Sequence, residues 1–207
     1  MIGPTSAIIL AGGHSRRLGH DKRRLRLWGE HGLQLLEHTI TVVAALCADV
    51  IVVLNDAEQW PNLAARCVPD VYPAAGALGG IYSGLLAAHH DYALVVACDM
   101  PFLSVALLQA LLAQPRDYDL LVPEALEAQS TRNRLNLEPL HAIYSRACCD
   151  PIQRALAAQQ YGVTAFFDQV QVVRFPATEV RRLDPTGRAL TSINTPEQLR
   201  ALVGGSC

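Results

Sequence analysis

Three short runs of the chain are apolar at every position rather than at alternate ones. Residues 7–11 read Ala-Ile-Ile-Leu-Ala, 50–54 read Val-Ile-Val-Val-Leu and 94–98 read Leu-Val-Val-Ala-Cys. Strands covered on both faces read this way, as in a parallel sheet between two helical layers. The stretches between them carry helical spacing. Leu33, Leu36, Ile40, Val43 and Cys47 step by three and four and predict a helix from about Leu33 to Leu46. Ile81–Ala88 reads as an apolar helix behind Gly79-Gly80, and Ser104 caps a helix running to about Leu112. Further on, strands are predicted at 119–122, 138–144 and 171–175, with a helix over Cys149–Ala158 and a helical turn at Phe166-Phe167. Asp184–Gly187 is a turn; Thr195, Pro196 and Gln198 open a last helix. Residues 57–68 and 123–137 show no clear period. The pattern predicts one three-layer α/β/α domain with a mostly parallel sheet and the first strand central.

Composition narrows this little, but usefully. Of 207 residues, 51% are hydrophobic and 17% charged, which excludes a disordered chain. A net charge of -2 gives no general argument for nucleic acid or an anionic membrane as partner. No run is long enough to span a bilayer, and Met1–Ser6 lacks a basic region before an apolar core. A cytoplasmic protein is therefore expected. The six cysteines form no C-x-x-C pair, so zinc is not signalled; Cys47 and Cys98 read as core residues. Trp28 and Trp60 read as packing residues.

The chemistry starts where the first apolar run ends. Gly12 and Gly13 break the strand, and Arg16, Arg17 and Lys22 follow. Glycines suit a tight turn or a close approach to a ligand. Ligands of open α/β sheets bind at this C-terminal edge, so the stretch predicts a polyphosphate cradle. It fits neither the Walker A pattern nor G-x-G-x-x-G. Lys22 is the only lysine beside 16 arginines, and a compact ammonium differs from a planar fork. Asp99, ending the strand at 94–98, reads either as a magnesium ligand or as a turn aspartate bonding its own backbone. His141 reads as a ligand, a base or a packed histidine, with packing the default.

Leu10 to Lys22, Leu-Ala-Gly-Gly-His-Ser-Arg-Arg-Leu-Gly-His-Asp-Lys, resembles the L-A-G-G-x-S-x-R-M-G-x-D-K signature of the molybdenum cofactor guanylyltransferases, with Leu18 for methionine. Cytidylyl relatives usually carry Ala-Ala-Gly where this chain has Ala11-Gly12-Gly13. Asp70 to Gly80, Asp99–Leu103, Glu138–Tyr144 and Ser192–Leu199 are similar to further family stretches, with Ala77 for proline and Ser192 for asparagine. The family's basic residues before its phenylalanine pair are replaced here by Tyr161 and Gly162.

The resemblance implies a Rossmann-like fold of the nucleotide-diphospho-sugar-transferase type over 1–207, with a nucleotide-binding part at about 1–115 and an acceptor-binding part at about 116–207. It implies transfer of GMP from Mg-GTP to the terminal phosphate of molybdopterin, with pyrophosphate leaving. Arg17, Lys22 and Asp99 would be catalytic, with magnesium on Asp99. Leu10, Ala11, Gly12, Gly13, Lys22, Asn55, Asp70, Gly79 and Asp99 would bind the nucleotide, and His141, Ser192 and Asn194 the acceptor. Molybdenum-insertion proteins and molybdoenzyme chaperones would be partners of a monomer or weak homo-oligomer. Cytidylyl transfer to the same acceptor, sugar-phosphate nucleotidyl transfer and nucleotide binding without turnover are the alternatives.

Overall fold

The computed structural model describes residues 3–12, 21–27, 29, 31–126, 135–193 and 198. The apolar runs become strands of one seven-stranded sheet. In chain order they are β1 (Ser6–Leu10), β2 (Asp49–Val53), β3 (Arg66–Val68), β4 (Tyr92–Ala97), β5 (Leu120–Pro123), β6 (His141–Ser145) and β7 (Val172–Phe175). Their spatial order is β3-β2-β1-β4-β6-β5-β7. All neighbours pair in parallel except around β6, which runs antiparallel to both β4 and β5. β1 is interior but third in the order; three strands beyond β4 put β4 in the middle instead.

Among the described residues, helices with defined bounds cover the sheet: α1 (Leu35–Ala44), α2 (Gly76–Ala87), α3 (Val105–Leu112), α4 (Cys149–Ala157) and α5 (Ala177–Leu183). Alternation along the strands sends side chains to two cores. Ala7 and Ile9 of β1 join Leu36 and Val43 of α1, Leu107 of α3 and Val180 of α5 on one face. Ile8 joins Leu78 and Ile81 of α2 and Ile152 of α4 on the other. This is why the strands show no polar alternation: both faces are dry.

Boundaries shift for local reasons. α1 starts at Leu35, because the Gln34 amide donates to the Glu37 carboxylate at 2.8 Å and Leu33 stays exposed. Ser104 caps α3 as expected, its hydroxyl accepting from the Leu107 amide. α2 begins at Gly76, five residues before Ile81. Its glycines lie inside the helix and let it sit close on the sheet: a methyl on Gly84 would come within 2.4 Å of Ile8 Cγ2. Strand β3 and helix α5 have no counterpart in the sequence reading. β3 is a three-residue edge strand, and neither of its faces is fully buried. The expected last helix lies, apart from Gln198, outside the described residues.

Candidate active site

The chain steps outward from β1 to β2 and β3, then returns across β1 to lay down β4. The connections leaving β1 and β4 therefore diverge, and a crevice opens at the C-terminal ends of these two neighbouring strands. A cavity of about 340 Å³ occupies it. Leu10, Ala11 and Gly12 form its floor at the end of β1, and Cys98 and Asp99 its wall beyond β4. Asn55, beyond β2, and Asp70 line the far side. The Ala11 amide is engaged by the Val53 carbonyl at 3.0 Å, so Gly12 is the first position whose amide can serve a ligand.

Lys22 reaches this cavity from a single 3-10 turn, Lys22–Arg24. Its Nζ lies 3.3 Å from Asp99 Oδ2, across 77 residues of sequence. The turn is anchored by residues to which the sequence reading assigned no role at the site. Asp21 caps it, accepting from the Arg23 amide at 3.0 Å. The Arg23 guanidinium is gripped by Asp21 on one side and by Asp56 on the other, at 2.6 Å from each Asp56 oxygen. It also donates to the Ala11 carbonyl at 3.2 Å, and Arg24 lies over the Trp60 ring at 4.3 Å. Burial pushes the Asp21 carboxyl up, but the hydrogen bonds and charge of Arg23 outweigh it and hold it below its ordinary value. Asp-Lys-Arg at 21–23 followed by an acid just beyond the second strand was the available signal.

On the far side, Asn55 Oδ1 accepts the Asp70 amide at 2.8 Å, and Asp70 Oδ1 accepts from Ser83 Oγ at 3.0 Å. Gly79 was expected at the nucleotide, but it does not line the cavity. It packs the 70–72 loop against α2: a methyl there would meet the Tyr72 carbonyl at 2.4 Å and Asp70 Oδ1 at 3.1 Å. Gly76 and Gly80 line the cavity instead.

The acceptor residues fare unevenly. His141 has no exposed surface and its two ring nitrogens have no hydrogen-bond partner. Burial lowers its pKa to about 4, with Asp184 pulling weakly the other way. It is a neutral packed histidine and cannot touch a ligand here, which corrects the acceptor assignment. Ser192 is also buried, but the next residue, Ile193, donates its amide to the Asp99 carbonyl at 2.8 Å. The 188–193 segment is thus tied to Asp99. Gly13, Arg17 and Asn194 lie outside the described residues.

The model of the MobA-like NTP transferase domain matches residues 7–173, which spans both the Lys22 turn and Asp99. A "Probable molybdenum cofactor guanylyltransferase" of Chloroflexus aggregans is 44% identical over 196 residues, 94% of this chain and 91% of that protein. The chain belongs to the molybdenum cofactor guanylyltransferase family. A "Molybdenum cofactor guanylyltransferase" of Desulfosudis oleivorans is 32% identical over 94% of this chain and 92% of its own. Among solved structures, molybdopterin-guanine dinucleotide biosynthesis protein A from Archaeoglobus fulgidus superposes with a TM-score of 0.78 at 25% identity, covering 97% of each chain. A 2-C-methyl-D-erythritol 4-phosphate cytidylyltransferase from Thermus thermophilus reaches 0.66 over 98% of each chain at 20% identity, and that likeness shows the fold alone.

Nucleotidyl transfer, the activity of this family, brings several phosphate charges into the site, and fixed cations or a bound metal can neutralise them. Cys98 is the thiol on the cavity wall, and burial drives its pKa far upward, so it is no thiolate. Among the described residues no three His, Cys, Asp or Glu side chains form a metal cage. A hard dication that draws most of its oxygens from phosphate and water needs only one or two carboxylates. Asp99, with its side chain 28% exposed at the cavity, has the right donor chemistry for that.

Proposed function

We propose that the protein transfers GMP from Mg-GTP to the terminal phosphate of molybdopterin and releases pyrophosphate. The observation that carries this reading is the meeting of Lys22 and Asp99 at 3.3 Å in the crevice between β1 and β4. Transfer at the α-phosphorus needs an in-line arrangement and neutralisation of charge on the departing pyrophosphate. Lys22 supplies a point charge from a turn that Arg23, Asp21 and Asp56 make rigid. The strand ends at Leu10–Gly12 let the nucleotide lie against backbone. Asp99 would hold magnesium, which supplies further positive charge at the triphosphate. The attacking phosphate is already anionic, so no general base is needed, and the neutral His141 and Cys98 are not asked to act as one.

Guanine over cytosine is inferred from Ala11-Gly12 at the cavity floor, where a larger base needs room. The test presents GTP, CTP and ATP separately to the enzyme with molybdopterin and magnesium and counts pyrophosphate. GTP should support turnover at least tenfold above CTP and ATP. Preference for CTP would make the protein a cytidylyltransferase, and no release with any of them would remove the transfer reading.

A further inference from the structure

Three arginines among the described residues are half-buried: Arg23, Arg116 and Arg188. Two of the three guanidinium groups are met by oxygens. Arg23 sits between the carboxylates of Asp21 and Asp56. Arg116 donates to the Leu112 carbonyl at 3.2 Å and to the Thr5 hydroxyl at 3.0 Å. The Arg188 guanidinium instead has its Cζ over the Phe102 ring, 3.7 Å from the centroid, and meets no carboxylate or carbonyl among the described residues. A guanidinium partly removed from water keeps five N–H donors that want oxygen, and its fork matches a phosphate bidentately.

The position of this cation is built rather than incidental. The Asp184 carboxylate, the acid nearest in sequence, is engaged by its own turn. Oδ1 accepts from Thr186 Oγ1 at 2.5 Å and Oδ2 from the Ala189 amide at 2.7 Å. Gly187 takes the left-handed conformation that the turn requires, with φ of 66°. Phe102 holds the guanidinium from the other side, and Phe102 is three residues past Asp99. The Arg188 carbonyl accepts from the Thr191 amide at 3.0 Å, and Ile193 closes the loop onto the Asp99 carbonyl. Asp99 therefore faces two ways. Its carboxylate looks to Lys22 in the cavity, while its backbone carries the segment that presents Arg188. Neither Phe102 nor Arg188 belongs to the cavity lining.

We propose that Arg188 binds the phosphate monoester of the acceptor, held on Phe102 so that its donors stay available. This rests on the transfer reading above. The same chemistry could serve the β- and γ-phosphates of the nucleotide, and the test is arranged to tell the two apart.

Steady-state kinetics on the full chain separate the two sources. In Arg188→Ala the KM for molybdopterin should rise at least tenfold, with the KM for GTP within twofold of wild type. Arg188→Lys should recover only part of the loss, since it keeps charge without the fork. Phe102→Leu, which keeps bulk and removes the π face, should raise the same KM severalfold. An acceptor KM within twofold in Arg188→Ala overturns the assignment, as does a rise confined to GTP. If the wild type releases no pyrophosphate with molybdopterin, the transfer reading fails, and a second measurement decides this one. Inorganic phosphate is titrated into arginine-labelled wild-type protein, and the Arg188 Nε–H resonance is identified by its loss in Arg188→Lys. Movement of that resonance at millimolar phosphate supports the site. A resonance unmoved by phosphate overturns it.

Discussion

At the scale of single residues, the site is a small set of charges whose positions can be changed one at a time. Lys22→Ala should fold normally and lose about a hundredfold in turnover, on the order of 2.7 kcal/mol of transition-state stabilisation. Lys22→Arg should recover only part of it, because a planar fork does not sit where an ammonium sits. Near-wild-type turnover in Lys22→Ala would remove the lysine from the mechanism. Asp99→Asn keeps the shape and loses the charge; turnover should collapse, and the magnesium needed for half-maximal residual activity should rise. An unaltered magnesium titration with normal turnover would take the metal off Asp99. Gly12 is the cleanest position for the base question. A methyl there would meet the Val53 carbonyl at 3.9 Å, ordinary contact, so Gly12→Ala should cost the fold little. It should lower kcat/KM for GTP more than for CTP. Equal losses for both would leave Gly12 a backbone residue with no part in base choice.

At the scale of elements, the cavity depends on how closely α2 sits on β1. Gly84 sets that distance, and Gly84→Ala should cost about 1–3 kcal/mol of stability by overpacking against Ile8. Urea unfolding checks it, and in an Ile8→Ala background the added cost should vanish. A Gly84→Ala protein as stable as wild type would show that the helix can move outward freely. Elements of this kind were the legible part of the sequence. The continuous runs at 7–11, 50–54 and 94–98 announce strands buried on both sides, and the helical steps of α1 and the Ser104 cap are equally plain. β3 was not legible because three residues on an exposed edge carry no period. α5 was not because its seven residues bury only Val180. The true start of α2 was hidden by glycines, which read as loop until the sheet they approach is seen.

At the scale of the whole molecule, the pairing of Lys22 with Asp99 was legible only in halves. Lys22 and Asp99 each stand out in their own stretch, but the sheet order that brings them together is a property of seven strands. The anchoring of Lys22 by Arg23 and Asp56 left only a faint sequence signal for the same reason: it joins the stretch after β1 to the residues just beyond β2. His141 shows the opposite case, a conspicuous residue that the fold simply buries. Its consequence is a pH dependence of the entire fold. The folded pKa of about 4 lies below the ordinary 6.5, so the unfolded chain binds the extra proton between those values. Stability should be complete above about pH 6.5 and fall as pH drops toward 4, by roughly 3 kcal/mol. His38, also lowered by burial, adds in the same direction. Denaturant midpoints at pH 7 and pH 4.5 should differ less in His141→Leu than in wild type. Identical pH dependence in the two proteins would contradict the burial of an uncharged ring.

The central claim is that one reaction occurs in the crevice between β1 and β4, the transfer of a nucleotidyl group from the α-phosphorus of GTP to a phosphate acceptor. The most direct measurement follows the atoms. GTP labelled at the α-phosphorus is incubated with molybdopterin, magnesium and the enzyme, and a parallel sample carries the label at the γ-phosphorus. The account predicts that the α label appears on the acceptor in step with pyrophosphate and that the γ label appears only in pyrophosphate, both slowed about a hundredfold in Lys22→Ala. A γ label arriving on the acceptor, or an α label remaining in GDP or GMP while the acceptor stays unlabelled, would contradict it.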